Sequence, residues 1–309
     1  MKAIAVIKVG SSNNFDEINI PVPELESDEV LVSTMFAGVN PVDSQIREGA
    51  MFEKYKWDLP LVLGWEISGI ITKLGSQVTE FSVGDEIIAK PDRSYNSLKG
   101  SYAQFVAVKT NQVALKPEEL PFALGAAIPL AGQTALESLN KLNLKSGQSV
   151  IIRGAGGGVG VFAMQIAKNI LNLKVIGAGS TLTKQYLDSI NIKYDDFIVE
   201  NNSEYVGKVD GILDPFGSIE FDSKYIKKSG KVVTLKQVVP VIDNLPFFIE
   251  HHVLKSSGSQ LKELIDYYTS GNIYIPIDSI YPLTKLGVQH AHEKIDTHHT
   301  HGKIIIEVS

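Results

Sequence analysis

A cluster of glycines between residues 154 and 160 carries the clearest chemical signal in this sequence. Residues 150–168 read VIIRGAGGGVGVFAMQIAK: a β-branched run, five glycines in seven residues, then an apolar pattern of helical period. Where a strand turns into a helix, glycine permits positive φ and lets the backbone approach a pyrophosphate. The free N–H groups of Gly157, Gly158 and Val159 at the helix start would then bind an anion, aided by the helix dipole.

The alternative for this stretch is a flexible turn without a ligand. Against the G-x-G-x-x-G pattern the loop is imperfect, because Ala155 takes the first glycine position, followed by Gly157 and Gly160. The loop nevertheless lies in a strand–loop–helix–strand context, which is the context that nucleotide binding requires. The sequence therefore predicts a dinucleotide-binding turn.

The end of the next strand selects the cofactor. A carboxylate about 20 residues past the glycines would bind the ribose 2′-hydroxyl of NAD. This chain has GAGSTLTK at 177–184, with no acid before Asp188 in the following helix. Two hydroxyls and a lysine (Ser180, Thr181 and Lys184) suit a 2′-phosphate, so NADPH is predicted. Ser180 and Thr181 are also suitable helix caps, and both roles can hold together.

Composition excludes several classes of protein. The chain has 309 residues, a net charge of −6 and no basic run, which argues against a nucleic-acid partner. It has no cysteine, so disulfides, thiolate nucleophiles and cysteine-ligated zinc are excluded. Neither a signal peptide nor an apolar run of membrane-spanning length is visible. We expect a cytoplasmic protein with no membrane or nucleic-acid partner.

Two kinds of pattern divide the chain and predict an α/β protein. The first 120 residues or so read as short strands, and from Pro129 to about residue 250 strands alternate with helical segments. Such alternation indicates a parallel sheet with crossover helices. The predicted strands are 29–36, 67–73, 86–89, 102–108, 150–152, 174–178, 197–199, 209–213, 231–235 and 303–308; the predicted helices include 159–170 and 260–269.

Four ordered motifs carry a resemblance to a known family: AGVNPVD at 37–43, GWEISG at 64–69, PLAGQTA at 129–135 and the glycine turn. Together they resemble the medium-chain dehydrogenase/reductase superfamily, and within it the zinc-free quinone oxidoreductase (zeta-crystallin-like) branch. The resemblance implies a GroES-like β-rich domain from residues 1–122 and 257–309, a doubly wound Rossmann domain at 123–256, a cleft at their junction and a homodimer.

The resemblance also bears on metal and chemistry. Zinc-dependent relatives carry Cys where this chain has Asn40 and His where it has Trp65, so no metal site is expected. Without a metal, the natural reaction is hydride transfer to an already electrophilic acceptor, a quinone or an α,β-unsaturated carbonyl. By resemblance, Asn40 lies near the nicotinamide and hydrogen-bonds substrate or ribose, Asp43 orders that loop, and Thr134 contacts the nicotinamide edge. For Asn40 and Asp43, ordinary turn chemistry is the alternative.

Further candidates follow from the same resemblance. Tyr55 is a candidate proton donor, with a packed or substrate-lining role as its alternative. Lys303 matches a basic position near the cofactor, or simply begins a strand. Relatives run a strand past the nicotinamide at this point of the chain, and Phe248 is expected to lie beside the ring. Glu200 stands where NADPH-binding relatives often carry a tyrosine; a carboxylate near the cofactor would repel a 2′-phosphate, unless its side chain faces solvent.

Alternatives remain open for the role of the clustered histidines and for the function of the protein. His290, His292, His298, His299 and His301 crowd into twelve residues, but their spacing matches no metal motif, and we expect them at a solvated surface. The predicted function is NADPH-dependent reduction of a quinone or enone. The alternatives are an NADPH-binding sensor or structural protein with little catalysis, and an enoyl-thioester reductase.

Overall fold

The computed structural model describes residues 1–92, 96–199, 204–236 and 245–309. It forms two compact units. Unit 1 comprises Met1–Leu130, Ser256–Thr269 and Pro276–Ser309, and unit 2 comprises Ala131–Lys255 and Ser270–Ile275. The domain boundaries expected from the family resemblance, 1–122, 123–256 and 257–309, stay predictions.

The described residues form strands through most of the first third of the chain and alternating strands and helices after it. The strands are β1 (Lys2–Val6), β2 (Phe15–Asn19), β3 (Glu29–Val39), β4 (Leu61–Val62), β5 (Ile67–Leu74), β6 (Glu86–Ala89), β7 (Phe105–Lys109), β8 (Val113–Leu115), β9 (Ser149–Arg153), β10 (Lys174–Ala178), β11 (Asp196–Ile198), β12 (Val209–Asp214), β13 (Ile226–Thr234), β14 (Phe248–His251), β15 (Ile277–Pro282) and β16 (Lys303–Glu307). The helices are α1 (Pro41–Arg47), α2 (Phe52–Tyr55), α3 (Phe122–Ala127), α4 (Pro129–Leu142), α5 (Gly158–Gln165), α6 (Thr181–Ser189), α7 (Ile219–Tyr225), α8 (Gly258–Thr269) and α9 (Lys285–Asp296).

Unit 1 is built on a seven-stranded sheet in the order β15-β16-β3-β5-β6-β8, with β7 also paired to β3. A second sheet has the order β2-β1-β4. β3 is the centre of the large sheet, because it pairs antiparallel with β16, β5 and β7. The carboxyl end of β3 thereby lies beside the start of β16, with Val39 opposite Ile304. This register brings the residue after β3 next to the residue that opens β16.

Unit 2 is a six-stranded parallel sheet in the order β11-β10-β9-β12-β13-β14. In chain order from β9 this is 3-2-1-4-5-6, the Rossmann order, in which ligands bind at the carboxyl ends of the strands beside the reversal at strand 1. β9 is that strand, and residues 150–152 within it are fully buried. The predicted α/β fold, with a GroES-like β-rich domain and a Rossmann domain, is confirmed.

The observed strand boundaries agree closely with the predicted ones where the apolar pattern is uninterrupted. β6 and β10 occupy the residues predicted for them, 86–89 and 174–178. β13 begins at Ile226, five residues before the predicted start, because its first half is polar and exposed and therefore lacks the pattern that reveals a strand. β7 begins at Phe105 instead of Tyr102. The continuous helix predicted for 159–170 is α5 followed by a π-helical turn at Ile166–Ile170.

The expectation that the clustered histidines lie at a solvated surface is wrong for His292. Its side chain is fully buried, because α9 turns it inward together with Val288, Ala291 and Ile295. Its Nδ1 lies 3.3 Å from the Arg47 guanidinium, which can only donate, and its Nε2 lies 3.3 Å from the Tyr102 hydroxyl. Burial, chiefly, and the Arg47 charge lower the pKa of His292 to about 3, so the ring is neutral.

Unit 2 holds a buried pair of carboxyl groups next to the glycine turn. Asp214, at the end of β12, accepts hydrogen bonds from Arg153 (2.7 Å) and from the backbone N–H groups of Phe216 (2.9 Å) and Ser218 (2.6 Å). Asp222 on α7 is 1% exposed, and burial followed by the Asp214 charge raises the pKa of Asp222 to about 8. At neutral pH, Asp222 therefore keeps its proton beside the Asp214 carboxylate.

No helix in the described parts of the chain is both long and apolar enough to cross a bilayer.

The proton on Asp222 predicts a distinctive pH dependence of stability. Between the ordinary pKa of 3.8 and the folded value of about 8, the folded state holds one more proton than the unfolded state, so stability falls as pH rises through this window. Asp222→Asn removes that dependence and raises the thermal midpoint at pH 8 by several degrees, since 1 kcal/mol moves the midpoint by about 2–4 °C. Below pH 4, where Asp222 is protonated in both the folded and the unfolded state, the difference in thermal midpoint disappears. The control is Asp266→Asn, which replaces an exposed carboxylate. If the thermal midpoints of the wild type and Asp222→Asn change equally with pH between pH 4 and 8, the prediction is contradicted.

Candidate functional site

The glycine turn of unit 2 presents unused backbone donors at the end of the central strand. β9 ends at Arg153, and Gly154 follows with φ +63°. Gly157 is the N-cap of α5, and its carbonyl accepts the N–H of Val161 at 2.9 Å. The N–H groups of Gly158 and Val159 precede this first helical hydrogen bond, so the helix itself does not use them. The N–H of Gly157, which is also predicted from the sequence to be free, donates instead to the Gly154 carbonyl at 3.0 Å. Anion binding by the N–H groups of Gly158 and Val159, aided by the helix dipole, stays a prediction.

Two glycines of the turn are needed for different reasons. A Cβ on Gly160 would lie 2.1 Å from the Gly154 carbonyl oxygen and 2.8 Å from the Ala155 Cα, so the helix can pack on the turn only if residue 160 has no side chain. A Cβ on Gly157 would meet only the Gly154 oxygen, at 3.4 Å, and otherwise open space. The space in front of Gly157 is therefore open, as the predicted diphosphate cradle requires, and binding of a diphosphate there stays a prediction.

The predicted 2′-phosphate residues lie together at the start of α6. Ser180 is the N-cap, and its Oγ accepts the N–H of Thr183 at 3.1 Å, so the capping role is present. Thr181 is the first helical residue. Lys184 points to Asp188 one turn later, with 2.8 Å between Nζ and the carboxylate, and this hydrogen bond raises the pKa of Lys184.

The remaining cofactor candidates of unit 2 are Thr134 and Phe248, and Glu200 is the position that departs from NADPH-binding relatives. Thr134 lies buried on α4. Phe248 opens β14 with a side chain that is 68% exposed. Glu200 lies outside the described residues. Contacts of Thr134 and Phe248 with a nicotinamide stay predictions.

Unit 1 contains a second polar group, built from three buried side chains: Asn40, Glu66 and Lys303. Asn40 precedes α1, Glu66 precedes β5 and Lys303 opens β16. The Asn40 amide nitrogen donates to Glu66 Oε1 at 2.7 Å, the Lys303 ammonium donates to the same oxygen at 2.6 Å, and it also donates to the Asn40 amide oxygen. The register of β3 against β16 brings Asn40 to Lys303, and the pairing of β3 with β5 brings Glu66 to both.

Asp43 holds the backbone around this group. Its Oδ2 accepts the N–H of Asn40 at 2.9 Å and its Oδ1 accepts the N–H of Gly64 at 2.9 Å. Asp43 is fully buried, and both of its oxygens face backbone amides. This arrangement fits the loop-ordering role expected for Asp43 and does not fit direct contact with a substrate.

Tyr55 lies in a stack of aromatic rings. It is parallel to Trp57 with 4.5 Å between ring centroids, Phe52 meets Trp57 edge-on, and the Lys54 ammonium lies 5.2 Å from the Tyr55 centroid. The packing alternative for Tyr55 is thus present in the structure. Proton donation by Tyr55 stays a prediction.

A zinc ion does not fit the donor groups around Asn40. The ammonium of Lys303 already lies within hydrogen-bonding distance of both Glu66 and Asn40, and a metal cation there would meet a like charge. Within residues 1–92, 96–199, 204–236 and 245–309, no three His, Cys, Asp or Glu side chains are grouped to hold a metal. A zinc ion bound at Asn40 is therefore incompatible with the neighbours of that side chain.

Sequence reasoning missed Glu66. The signal for it was present: Glu66 and Lys303 are opposite charges, and each stands at the start of an apolar run, EISGII and KIII. A charge at the start of a buried strand requires a partner, since burial of an unpaired charge is costly.

Two parts of the chain match known dehydrogenase domains. Residues 26–118 match the alcohol dehydrogenase GroES-like domain, and residues 189–306 match a domain described as zinc-binding dehydrogenase. A solved quinone oxidoreductase from Coxiella burnetii is similar over 100% of this chain and 99% of that one, with a TM-score of 0.91 and 26% identity. Fold and turn together define a nucleotide-binding dehydrogenase.

Two curated relatives narrow the class. The 2-methylene-furan-3-one reductase of Solanum lycopersicum is 35% identical over 99% of this chain and 79% of its own length. The NADPH-dependent alkenal/one oxidoreductase of Arabidopsis thaliana, a chloroplastic protein, is 34% identical over 94% of this chain and 75% of its own length. The chain belongs to the medium-chain dehydrogenase/reductase superfamily, as its four motifs indicate.

Substitution of the two glycines separates cofactor binding from folding. Gly157→Ala places a methyl group in the open cradle, so we expect the Kd for NADPH to rise about 10- to 100-fold with little change in the thermal midpoint. Gly160→Ala forces the helix away from the turn and lowers the thermal midpoint as well. Titration calorimetry and thermal unfolding measure the two effects. An unchanged Kd for NADPH in Gly157→Ala would contradict the prediction that the diphosphate binds in front of Gly157.

Proposed function

We propose that this protein is a zinc-independent, NADPH-dependent oxidoreductase that transfers a hydride to a quinone or an α,β-unsaturated carbonyl. The observation that carries the proposal is the pair of sites: an open anion cradle at a Rossmann turn, and a buried polar group around Asn40 that holds an ammonium instead of a metal. The names of the relatives, an enone reductase and an alkenal/one oxidoreductase, support the same chemistry.

The proposal gives each of these residues a role. When bound, NADPH supplies the hydride. The N–H groups of Gly158 and Val159 hold its diphosphate, and Thr134 orients the nicotinamide. The Asn40 amide orients the acceptor carbonyl or the ribose. Because the oxyanion or enolate that forms is delocalised over a conjugated system, it needs little stabilisation, and positioning of the two reactants is the main task of the protein.

The preference for NADPH rests on the start of α6. No carboxylate stands at the end of β10, and Ser180, Thr181 and Lys184 offer two hydroxyls and a cation. The Lys184–Asp188 ion pair is exposed, and exposed ion pairs are weak. A 2′-phosphate, which carries more charge than Asp188, would draw the Lys184 ammonium away from it.

The coenzyme preference has a direct test. Lys184→Ala raises the KM for NADPH about tenfold and leaves the KM for NADH unchanged, because only NADPH has the 2′-phosphate that Lys184 binds. Asp188→Asn lowers the KM for NADPH, since it removes the competing carboxylate. Lys262→Ala on α8 is the matched control, because Lys262 forms a similar exposed pair with Asp266. Equal changes for NADH and NADPH would contradict the assignment.

The activity is tested by NADPH oxidation with a panel of quinones, enones and enals, with NADH as the control coenzyme. We expect turnover with conjugated acceptors and none with saturated ketones, because the localised alkoxide formed from a saturated ketone needs more stabilisation than a delocalised enolate. NADPH binding without turnover on any acceptor would instead favour a sensor or structural protein. Turnover on enoyl thioesters alone would favour an enoyl-thioester reductase. The homodimer and the cytoplasmic location stay predictions from the sequence.

A further inference from the structure

The ammonium of Lys303 has no donor left for a cofactor. A lysine ammonium carries three N–H donors. They go to Glu66 Oε1 at 2.6 Å, to the Val39 carbonyl at 3.2 Å and to the Asn40 amide oxygen. The side chain is 3% exposed. The family resemblance predicts a cofactor contact for Lys303, but the contacts of the side chain all lie within unit 1.

Glu66 is equally enclosed. Its Oε1 accepts from Lys303 and from the Asn40 amide nitrogen, and its Oε2 accepts the N–H of Leu130 at 2.6 Å. Leu130 is the second residue of α4, so the carboxylate lies at a helix N-terminus, where negative charge is stabilised. A buried ion pair is tolerable when such additional hydrogen bonds satisfy both partners.

The pair fixes the orientation of the Asn40 amide. Rotation of the amide by half a turn would place its NH₂ group against the ammonium of Lys303 and its oxygen against the carboxylate of Glu66. Both contacts would be repulsive, so one orientation is enforced. The Asn40 side chain also takes part in the capping box of α1, where it faces the backbone N–H of Asp43. The group of this side chain that is left for a ligand is the second amide hydrogen.

We propose that Glu66 and Lys303 are positioning residues that act on the reaction only through Asn40. This inference rests on the proposed function, in which the Asn40 amide orients the acceptor carbonyl or the ribose. The ion pair touches neither substrate nor cofactor. It decides which end of the amide meets them, and the one remaining N–H is offered to an acceptor oxygen.

A purely structural ion pair would behave differently, and the double substitution Glu66→Gln with Lys303→Met separates the two cases. It removes both charges with little change in volume, so it leaves no uncompensated buried charge, unlike Glu66→Gln alone, which should lower the thermal midpoint strongly. We expect the double variant to fold and its kcat/KM for an enone to fall about 10- to 100-fold, as for Asn40→Ala, since misplacement of a positioning group has effects of this size.

The decisive measurement is the same double substitution in the Asn40→Ala background. If the pair acts only through Asn40, kcat/KM there changes less than about twofold, because the group that the pair positions is already gone. Independent losses that multiply in that background would overturn the proposal, as would full activity of the double variant. The control is Lys116→Met with Glu86→Gln, which removes another buried lysine's ion pair in unit 1 and should alter stability without lowering kcat/KM.

A second readout does not depend on turnover. The side-chain NH₂ signals of Asn40 in a ¹⁵N-correlated NMR spectrum are assigned by their absence in Asn40→Ala. They should exchange slowly in the wild type and rapidly in the double variant. Unchanged exchange would overturn the positioning role even in an active enzyme. Slow exchange in a wild type that reduces no acceptor would instead count against the proposed function alone.

Discussion

The buried contact between Glu66 and Lys303 is the constraint on which the arrangement of unit 1 depends. Two opposite charges in an apolar interior are stable only if each has its full set of partners. Those partners come from four places in the chain: the end of β3, the start of β5, the first turn of α4 and the first residue of β16. Displacement of any one of these segments would remove either the opposite charge or a hydrogen bond to one of the two charges, so the ion pair favours one register.

In unit 2 the corresponding constraint is steric. α5 can approach the end of β9 only because Gly160 has no side chain, and the approach leaves the first amides of the helix without partners inside the helix. Under the proposed function, the two units would therefore recognise their ligands in different ways. Unit 2 presents backbone donors, which any sequence with the right glycines would provide. Unit 1 presents one side-chain amide whose orientation depends on specific neighbours.

The sequence predicts the glycine turn well because the signal is local. The strand, the glycines and the helix are contiguous, and the alternation of strands and helices that follows predicts a parallel sheet with crossover helices. The spacing of Lys184 and Asp188 is another local signal, because residues four apart lie on one helix face. Glu66 could not be paired with Lys303 in the same way, since 237 residues separate them and only the sheet register brings them together.

His292 illustrates another limit of the sequence. The crowding of five histidines indicates a polar surface, yet the helical period of α9 turns His292 into the core. Its ring lies within hydrogen-bonding distance of Arg47 and Tyr102 there. A neutral imidazole accepts from one side and donates from the other, which no apolar side chain of that size would do. Composition describes the segment as a whole, whereas burial is decided residue by residue through the helix face.

The proton retained by Asp222 affects the electrostatic potential met by an anion near the glycine turn. When Asp222 is neutral, the charges of Arg153 and Asp214 cancel. The group of Arg153, Asp214 and Asp222, which lies next to Gly154, then has no net charge. Ionisation of Asp222 would give that cluster a charge of −1 beside the turn, and such a charge acts over a Debye length of about 8 Å. Because electrostatic steering depends on such local charge, association of a polyanionic coenzyme should slow in alkaline buffer while its bound contacts stay the same.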